Sequence, residues 1–155
     1  MMEKPNILVS ACLLGVHCRY NGQGALEPAV WGLRERAVLI PVCPEILGGL
    51  ATPREPAERI RDRVKTISGY DVTDQYVRGA KETLALAELY ECRIAVLKER
   101  SPSCGSGVIY DGTHTGRRTA GDGVTAELLK SHGIAVFGET EENKIKDYID
   151  TMKNL

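Results

Sequence analysis

Four short apolar runs, each of strand length and rich in β-branched residues, most constrain how this chain can fold. The runs are NILVSA at 6–11, AVLIPV at 37–42, RIAVL at 93–97 and IAVF at 134–137. Their apolar character is continuous, not alternating, which is typical of parallel strands that are buried on both faces. Helical patterns separate and follow these runs. The alternation predicts an α/β fold, a Rossmann-like domain with a mainly parallel sheet and helices on both faces.

The sequence indicates where the predicted helices begin and end. Apolar spacing predicts a helix over 71–91 and a shorter one over 124–130, which Gly133 is expected to end. A last helix is predicted after Thr140, whose position before two glutamates suggests an N-cap. The stretch 48–69 is rich in Pro and Arg and has no clear period, so it is interpreted as a functional loop or a small excursion and not as a domain boundary.

Length and charge limit the possible functions. A chain of 155 residues is the size of one domain, and we expect a single domain over 1–155. The net charge is only −1 with no long run of one sign, so nothing favours nucleic-acid or membrane partners, and a small-molecule ligand is the simpler expectation. The start of the chain, Met1 to Pro5, lacks a signal-peptide layout, which predicts a cytoplasmic protein. Monomer and homodimer both stay open.

Five cysteines, an odd number, argue against a disulfide framework in a reducing compartment. Cys12 follows the first apolar run, Cys43 follows the second, and Cys104 follows the third after a short SPS turn. The carboxyl ends of parallel strands meet at one edge of a sheet, where ligands bind, so these three thiols are expected to share one site. For Cys18, in a loop, and Cys92, after a long helix, a structural role is favoured.

A thiol-rich site selects a soft metal, either zinc or an iron–sulfur cluster. Structural zinc sites usually contain close Cys-x-x-Cys pairs, and the sequence has none. Three thiolates leave one coordination position open, which suits a [4Fe–4S] cluster with one accessible iron or a catalytic zinc. His17 is a less favoured fourth ligand.

Five motifs cover nearly the whole chain in order and carry a family resemblance. They are SACLLGVHCRYNG, PVCPEILGGLATPREP, GYDVTDQYVRGA, LKERSPSCGSGVIYDGTHTG and GDGVTAELL. The chain resembles the domain-of-unknown-function 523 family, which includes the thiouracil desulfidases. The resemblance implies that Cys12, Cys43 and Cys104 hold a [4Fe–4S] cluster whose fourth iron takes sulfur from a thiolated nucleobase such as 2-thiouracil. It also implies catalytic roles for Glu45 and Ser101.

Residue chemistry is compatible with these roles. Glu45 could deprotonate a water near the cluster, and Ser101 could relay a proton or hold the ring. Tyr20 and Asn21 lie in an Arg-Tyr-Asn-Gly turn that offers a ring for stacking and an amide for edge recognition of a flat heterocycle. Lys98, at the end of the third run, and Ser103 are further candidates for substrate binding.

Two other functions remain open from the sequence. One is a zinc-dependent hydrolase that uses the same three cysteines, and the other is a non-catalytic iron–sulfur or sulfide-binding module.

A partial dinucleotide pattern, GDGVTA at 121–126, opens a helix, but the RRTA segment before it is a poor strand, so dinucleotide binding is not favoured. Asp111-Gly112 predicts the turn of a hairpin.

Overall fold

The computed structural model describes residues 3–153. Met1 and Met2, which belong to the segment interpreted as lacking a signal peptide, lie outside the described residues. In the described part of the chain the strands are β1 (Asn6–Ser10), β2 (Val38–Val42), β3 (Ala57–Ile60), β4 (Arg63–Thr66), β5 (Ile94–Leu97), β6 (Val108–Tyr110), β7 (Arg118–Ala120) and β8 (Ala135–Gly138). The α-helices are α1 (Pro28–Trp31), α2 (Pro44–Leu47), α3 (Thr73–Leu89), α4 (Val124–Ser131) and α5 (Glu142–Lys153).

The four apolar runs form one sheet, in the order β2-β1-β5-β8, and every neighbouring pair is parallel. The α/β prediction with a parallel sheet is therefore confirmed. β1, β2 and β5 are each one residue shorter than their runs, and β8 is shifted by one residue toward the C-terminus. Ala11, for example, starts a 3₁₀ turn over Ala11–Leu14 instead of extending β1.

Helices cover both faces of this sheet, as predicted. On one face, Ile7 and Val9 of β1 pack in a core with Val30 of α1 and with Ile145 and Ile149 of α5. On the other face, Leu8 and Ala95 share a core with residues of α3 and α4. Side chains of one strand thus point alternately into two cores, which explains why the strand sequences are apolar throughout.

Three sequence-based predictions of local structure need correction. The stretch 48–69 is not entirely a loop, because β3 and β4 form an antiparallel hairpin within it. The alternating burial of β4, with Val64 and Thr66 inside, is a period-two signal that was missed. The RRTA segment is a strand, β7, paired with β6. Thr140 does not cap α5, because the helix starts at Glu142 and Glu141 directly precedes it. The Thr140 hydroxyl donates to Glu99.

The predicted end of the helix before Gly133 is confirmed. Gly133 follows the end of α4 with a φ of 81°, a left-handed conformation that suits glycine. Asp111 and Gly112 lie in the loop between β6 and β7, which is longer than a two-residue turn.

Within residues 3–153, no helix combines the length and apolarity needed to cross a membrane.

A candidate active site lined by thiols

A pocket with a volume of about 440 Å³ lies where β1, β2 and β5 end. The structure brings Cys12, Cys43 and Cys104 into its lining, as expected from their positions after these strands. Cys18 also lines it. The pocket thus has four thiols from three separate parts of the chain, and none of them is in a disulfide.

The Cys12 thiol is placed by the short 3₁₀ turn that follows β1. Gly15 ends this turn with a φ of 93°, which reverses the chain immediately after the cysteine. The carbonyl of Cys12 accepts hydrogen bonds from the N–H groups of Gly15 and Ala25. Its backbone is therefore fixed from two sides, and the residue is buried.

Cys43 stands directly before α2, where Pro44 occupies the first helical position. Its Sγ lies 3.8 Å from the carbonyl oxygen of Cys18. Hydrogen bonding with the Cys18 thiol, together with burial, raises the pKa of Cys43. Hydrogen bonding with Cys12 raises the pKa of the Cys18 thiol. The hydrogen bond between Cys18 and Cys43 lowers the pKa of Cys18, but the net shift is upward. Cys18 therefore lies between two of the predicted ligands, which its position in a loop did not indicate.

Cys104 lies in the SPSCG loop, which the N-terminus of α4 holds in place. The N–H groups of Gly123, Val124 and Thr125 donate to carbonyls of this loop. A Cβ at Gly123 would lie 2.4 Å from Ser103 backbone atoms, so only glycine permits this approach. The premise of the argument against dinucleotide binding, a poor strand before GDGVTA, is wrong because β7 lies there. The N–H groups at the start of α4 nevertheless donate to the SPSCG loop and not to a ligand.

The Cys104 thiol itself is buried, and burial raises its pKa to about 12. The Ser10 hydroxyl lies 3.6 Å from Cys104 Sγ. Ser10 Oγ also accepts the Lys98 N–H at 2.9 Å, so the hydroxyl proton is free to point toward the sulfur. Ser10 is thus a donor to a predicted ligand, a role that sequence reasoning missed.

Glu45 lies in the first turn of α2, and its carboxylate lines the pocket. Its Oε1 accepts hydrogen bonds from Arg54 Nε at 3.0 Å and from the Tyr76 hydroxyl at 2.8 Å. Burial, followed by the charge of Glu45, raises the pKa of Tyr76 well above its usual value, so this hydroxyl keeps its proton. Sequence reasoning missed Arg54 and Tyr76, although both belong to the quoted motifs.

Ser101 and Lys98 reach the pocket. Ser101 Oγ accepts the N–H groups of Ser103 and Cys104, both at 3.1 Å, so it shapes the turn that carries the thiol. Its own hydroxyl proton remains available for donation. Lys98 Nζ pairs with Glu139 at 2.7 Å, and this pair neutralises its charge.

Of the remaining candidate residues, some line the pocket and others lie outside it. Tyr20 lines the pocket and is 41% exposed, and the Arg19 guanidinium lies 5.8 Å from the centroid of its ring. Asn21 is not part of the lining, and its Oδ1 accepts the Gln23 N–H within the turn. Ser103 is buried behind the pocket, where its hydroxyl bonds to that of Thr125 at 2.8 Å. His17 is exposed and lies outside the lining.

The arrangement of the thiols suits a cluster better than a single metal ion. Among residues 3–153, no three His, Cys, Asp or Glu side chains converge closely enough to hold a single metal ion. An iron–sulfur cluster makes a different demand, since each thiolate binds a different iron atom of an extended group. Thiols that line one pocket from several directions fit such a cluster.

These features define a class, α/β proteins with a pocket lined by thiols at the carboxyl edge of a parallel sheet. Comparisons with known proteins define the family. The family model for 2-thiouracil desulfurase matches residues 7–141. The chain therefore belongs to the 2-thiouracil desulfurase family, which confirms the resemblance that its motifs carry.

Two relatives illustrate this membership. The chain is 47% identical over 149 residues to the uncharacterized protein YbbK of Bacillus subtilis (strain 168), covering 90% of this chain and 99% of that protein. A solved structure, the [4Fe–4S]-dependent thiouracil desulfidase TudS, is 45% identical with a TM-score of 0.88. That match covers 96% of this chain and 99% of the solved one.

Proposed function

We propose that the protein is a [4Fe–4S]-dependent desulfidase that removes sulfur, as sulfide, from a thiolated nucleobase such as 2-thiouracil and leaves the oxo base. The observation that carries this proposal is the pocket lined by thiols and by the Glu45 carboxylate, in a chain 45% identical to a [4Fe–4S]-dependent thiouracil desulfidase. All five cysteines are free thiols, which agrees with a reducing, cytoplasmic compartment.

Cys12, Cys43 and Cys104 would hold the cluster, one from each strand end. Once bound, the cluster supplies an iron that has no protein ligand and can accept a soft thiocarbonyl sulfur, which polarises the C–S bond. The Ser10 hydroxyl would donate to the Cys104 sulfur. Such outer hydrogen bonds orient ligands and tune the bound metal group.

Glu45 would act as the general base. A water deprotonated by its carboxylate attacks the carbon of the C–S bond, sulfide leaves and oxygen takes its place. The reaction is therefore a hydrolysis, in which thiouracil and water give uracil and hydrogen sulfide without transfer of external electrons. Hard carboxylate oxygen is a poor match for cluster iron, so Glu45 is assigned a catalytic role and not a ligand role.

Ser101 would donate its hydroxyl to the substrate. Its oxygen already accepts two backbone N–H groups, so donation is the interaction that remains to it. Tyr20, a partly exposed residue of the pocket lining, would stack on the flat ring of the base. Lys98 is held by Glu139 and would contribute at most a neutral ion pair to the site.

Sulfide release by anaerobically reconstituted protein tests the proposal. A panel of thiolated heterocycles should show sulfide and the oxo product in equal amounts for at least one thiolated nucleobase. A non-catalytic sulfide-binding module would instead release no more than one sulfide per chain. Lack of turnover with the whole panel would contradict the enzyme assignment.

Two variants test the catalytic roles. Glu45→Gln should keep its iron content while sulfide release falls at least ~10²-fold, the usual cost of losing a general base. Ser101→Ala should also be slow with its iron retained, and Ser101→Thr, which keeps a hydroxyl, is the matched control. Loss of iron in Glu45→Gln would assign this carboxylate to cluster binding instead.

A further inference from the structure

The two oxygens of the Glu45 carboxylate have different surroundings. Both side-chain donors, Arg54 Nε and the Tyr76 hydroxyl, bind Oε1. Among residues 3–153, Oε2 has no hydrogen-bond donor, and no buried side-chain nitrogen or oxygen lacks a partner. Oε2 is therefore accessible to solvent, and Glu45 is one of the residues that line the pocket.

Arg54 cannot turn away from this contact, because its other nitrogens are already bonded. One terminal nitrogen donates to the carbonyl of Ala51 and to Thr52 Oγ1, and the other donates to the carbonyl of Cys18 at 2.9 Å. The Arg54 side chain is only 9% exposed. It therefore joins the loop after β1 to the first turn of α2 through partly buried hydrogen bonds.

Tyr76 holds the same oxygen from a different element. It is a buried residue in the first turns of α3, 2% exposed, and α3 packs tightly against α2. Its raised pKa keeps the hydroxyl protonated, so it donates to Glu45. Two donors from two directions fix both the position and the rotation of the carboxylate.

We propose that Arg54 and Tyr76 are positioning residues that hold Oε1 of Glu45 and so present Oε2 alone to water and substrate. The inference rests on the proposed function, in which Glu45 is the base. Neither residue would touch the reacting atoms. Each acts through the geometry of Glu45, where a small displacement from the reactive arrangement lowers the rate steeply.

A double-mutant cycle on the reconstituted protein tests this inference. Tyr76→Phe removes one oxygen and keeps the buried ring. It should lower kcat for thiouracil about 10-fold or more, with KM within about twofold and iron content unchanged. In a Glu45→Gln background, Tyr76→Phe should have little further effect, since residues that act through one another are not additive. Tyr90→Phe, which alters a tyrosine outside the pocket, is the matched control.

Arg54→Lys provides a second variant, because lysine keeps the charge but cannot form the same set of hydrogen bonds. It should also lower kcat with iron retained and should also lose its effect in the Glu45→Gln background. Full kcat in Tyr76→Phe, or effects that multiply with those of Glu45→Gln, would overturn the inference while leaving Glu45 as the base. Full activity of Glu45→Gln itself would overturn the base assignment and this inference together.

Discussion

Helices α2 and α3 approach each other so closely that one added methyl group should disturb the site. A Cβ at Gly79 of α3 would lie 1.9 Å from the carbonyl oxygen of Pro44, whereas real Cβ contacts are essentially never under 3.0 Å. Gly48 has the same relation to the carbonyl of Gln75, at 2.0 Å. The obstruction is backbone, which cannot rotate away as a flexible side chain can. Gly79→Ala must therefore shift α2, and Glu45 with it, by about 1 Å.

Two effects of opposite sign decide the result. Alanine is favoured over glycine in a helix interior by about 1 kcal/mol. Overpacking of a tight contact costs typically about 1–3 kcal/mol, and a clash with backbone belongs at the upper end. The free energy of unfolding should therefore fall by about 1–2 kcal/mol. Activity should fall further, about 10²-fold in kcat, because a 1 Å misplacement of a catalytic group can cost that much.

The assay compares Gly79→Ala with Gly32→Ala. Gly32 has helical backbone, and nothing lies within 4 Å of its Cβ position, so alanine should be tolerated there without loss of stability or activity. Thermal unfolding, iron content and sulfide release are measured on both variants. If Gly79→Ala matches Gly32→Ala in stability and kcat, the close approach of α2 and α3 does not position the site.

Three further predictions concern the cluster. Replacement by alanine of each proposed ligand, Cys12, Cys43 or Cys104, should remove the bound iron, whereas replacement of Cys18 or Cys92 should leave it in place. Iron analysis of the five variants measures this difference. Complete iron loss in Cys18→Ala would refute the assignment. Ser10→Ala should make the reduction potential of the bound cluster more negative, because a hydrogen bond to a cluster sulfur favours the reduced state, and an unchanged potential in a redox titration would show that Ser10 does not donate. Burial raises the pKa of Cys104, and hydrogen bonding with Cys18 raises that of Cys43, so these thiols must release protons when they bind iron. Iron uptake at fixed iron concentration should therefore weaken as the pH falls from about 8 to about 6, and uptake independent of pH would contradict thiolate ligation.

Much of the site could be predicted because parallel sheets have directional edges. Four apolar runs were enough to predict the sheet, and a cysteine after each of three runs was enough to bring Cys12, Cys43 and Cys104 to one pocket. Neither inference needed the packing of any side chain. The direction of each strand carried the information.

The parts that sequence reasoning missed depend on tertiary contacts between distant segments. Tyr76 is 31 residues from Glu45 along the chain, and only the packing of α3 on α2 brings its hydroxyl to the carboxylate. Arg54 follows Glu45 by nine residues, but its side-chain direction depends on an irregular loop. Ser103 is adjacent to Cys104, yet it points to α4 and away from the pocket, because neighbouring residues in a tight turn face different directions.

The central claim is that thiolate-bound iron and sulfide in this pocket perform the desulfuration. The most direct test measures sulfide release from thiouracil by one protein preparation divided into three parts: reconstituted anaerobically with iron and sulfide, loaded with zinc, or left metal-free. We expect multiple turnovers in the iron-containing sample, in proportion to its iron content, and none in the other two. Turnover by the zinc-loaded protein that equals or exceeds that of the iron-containing sample would contradict the account and favour a zinc hydrolase built on the same cysteines.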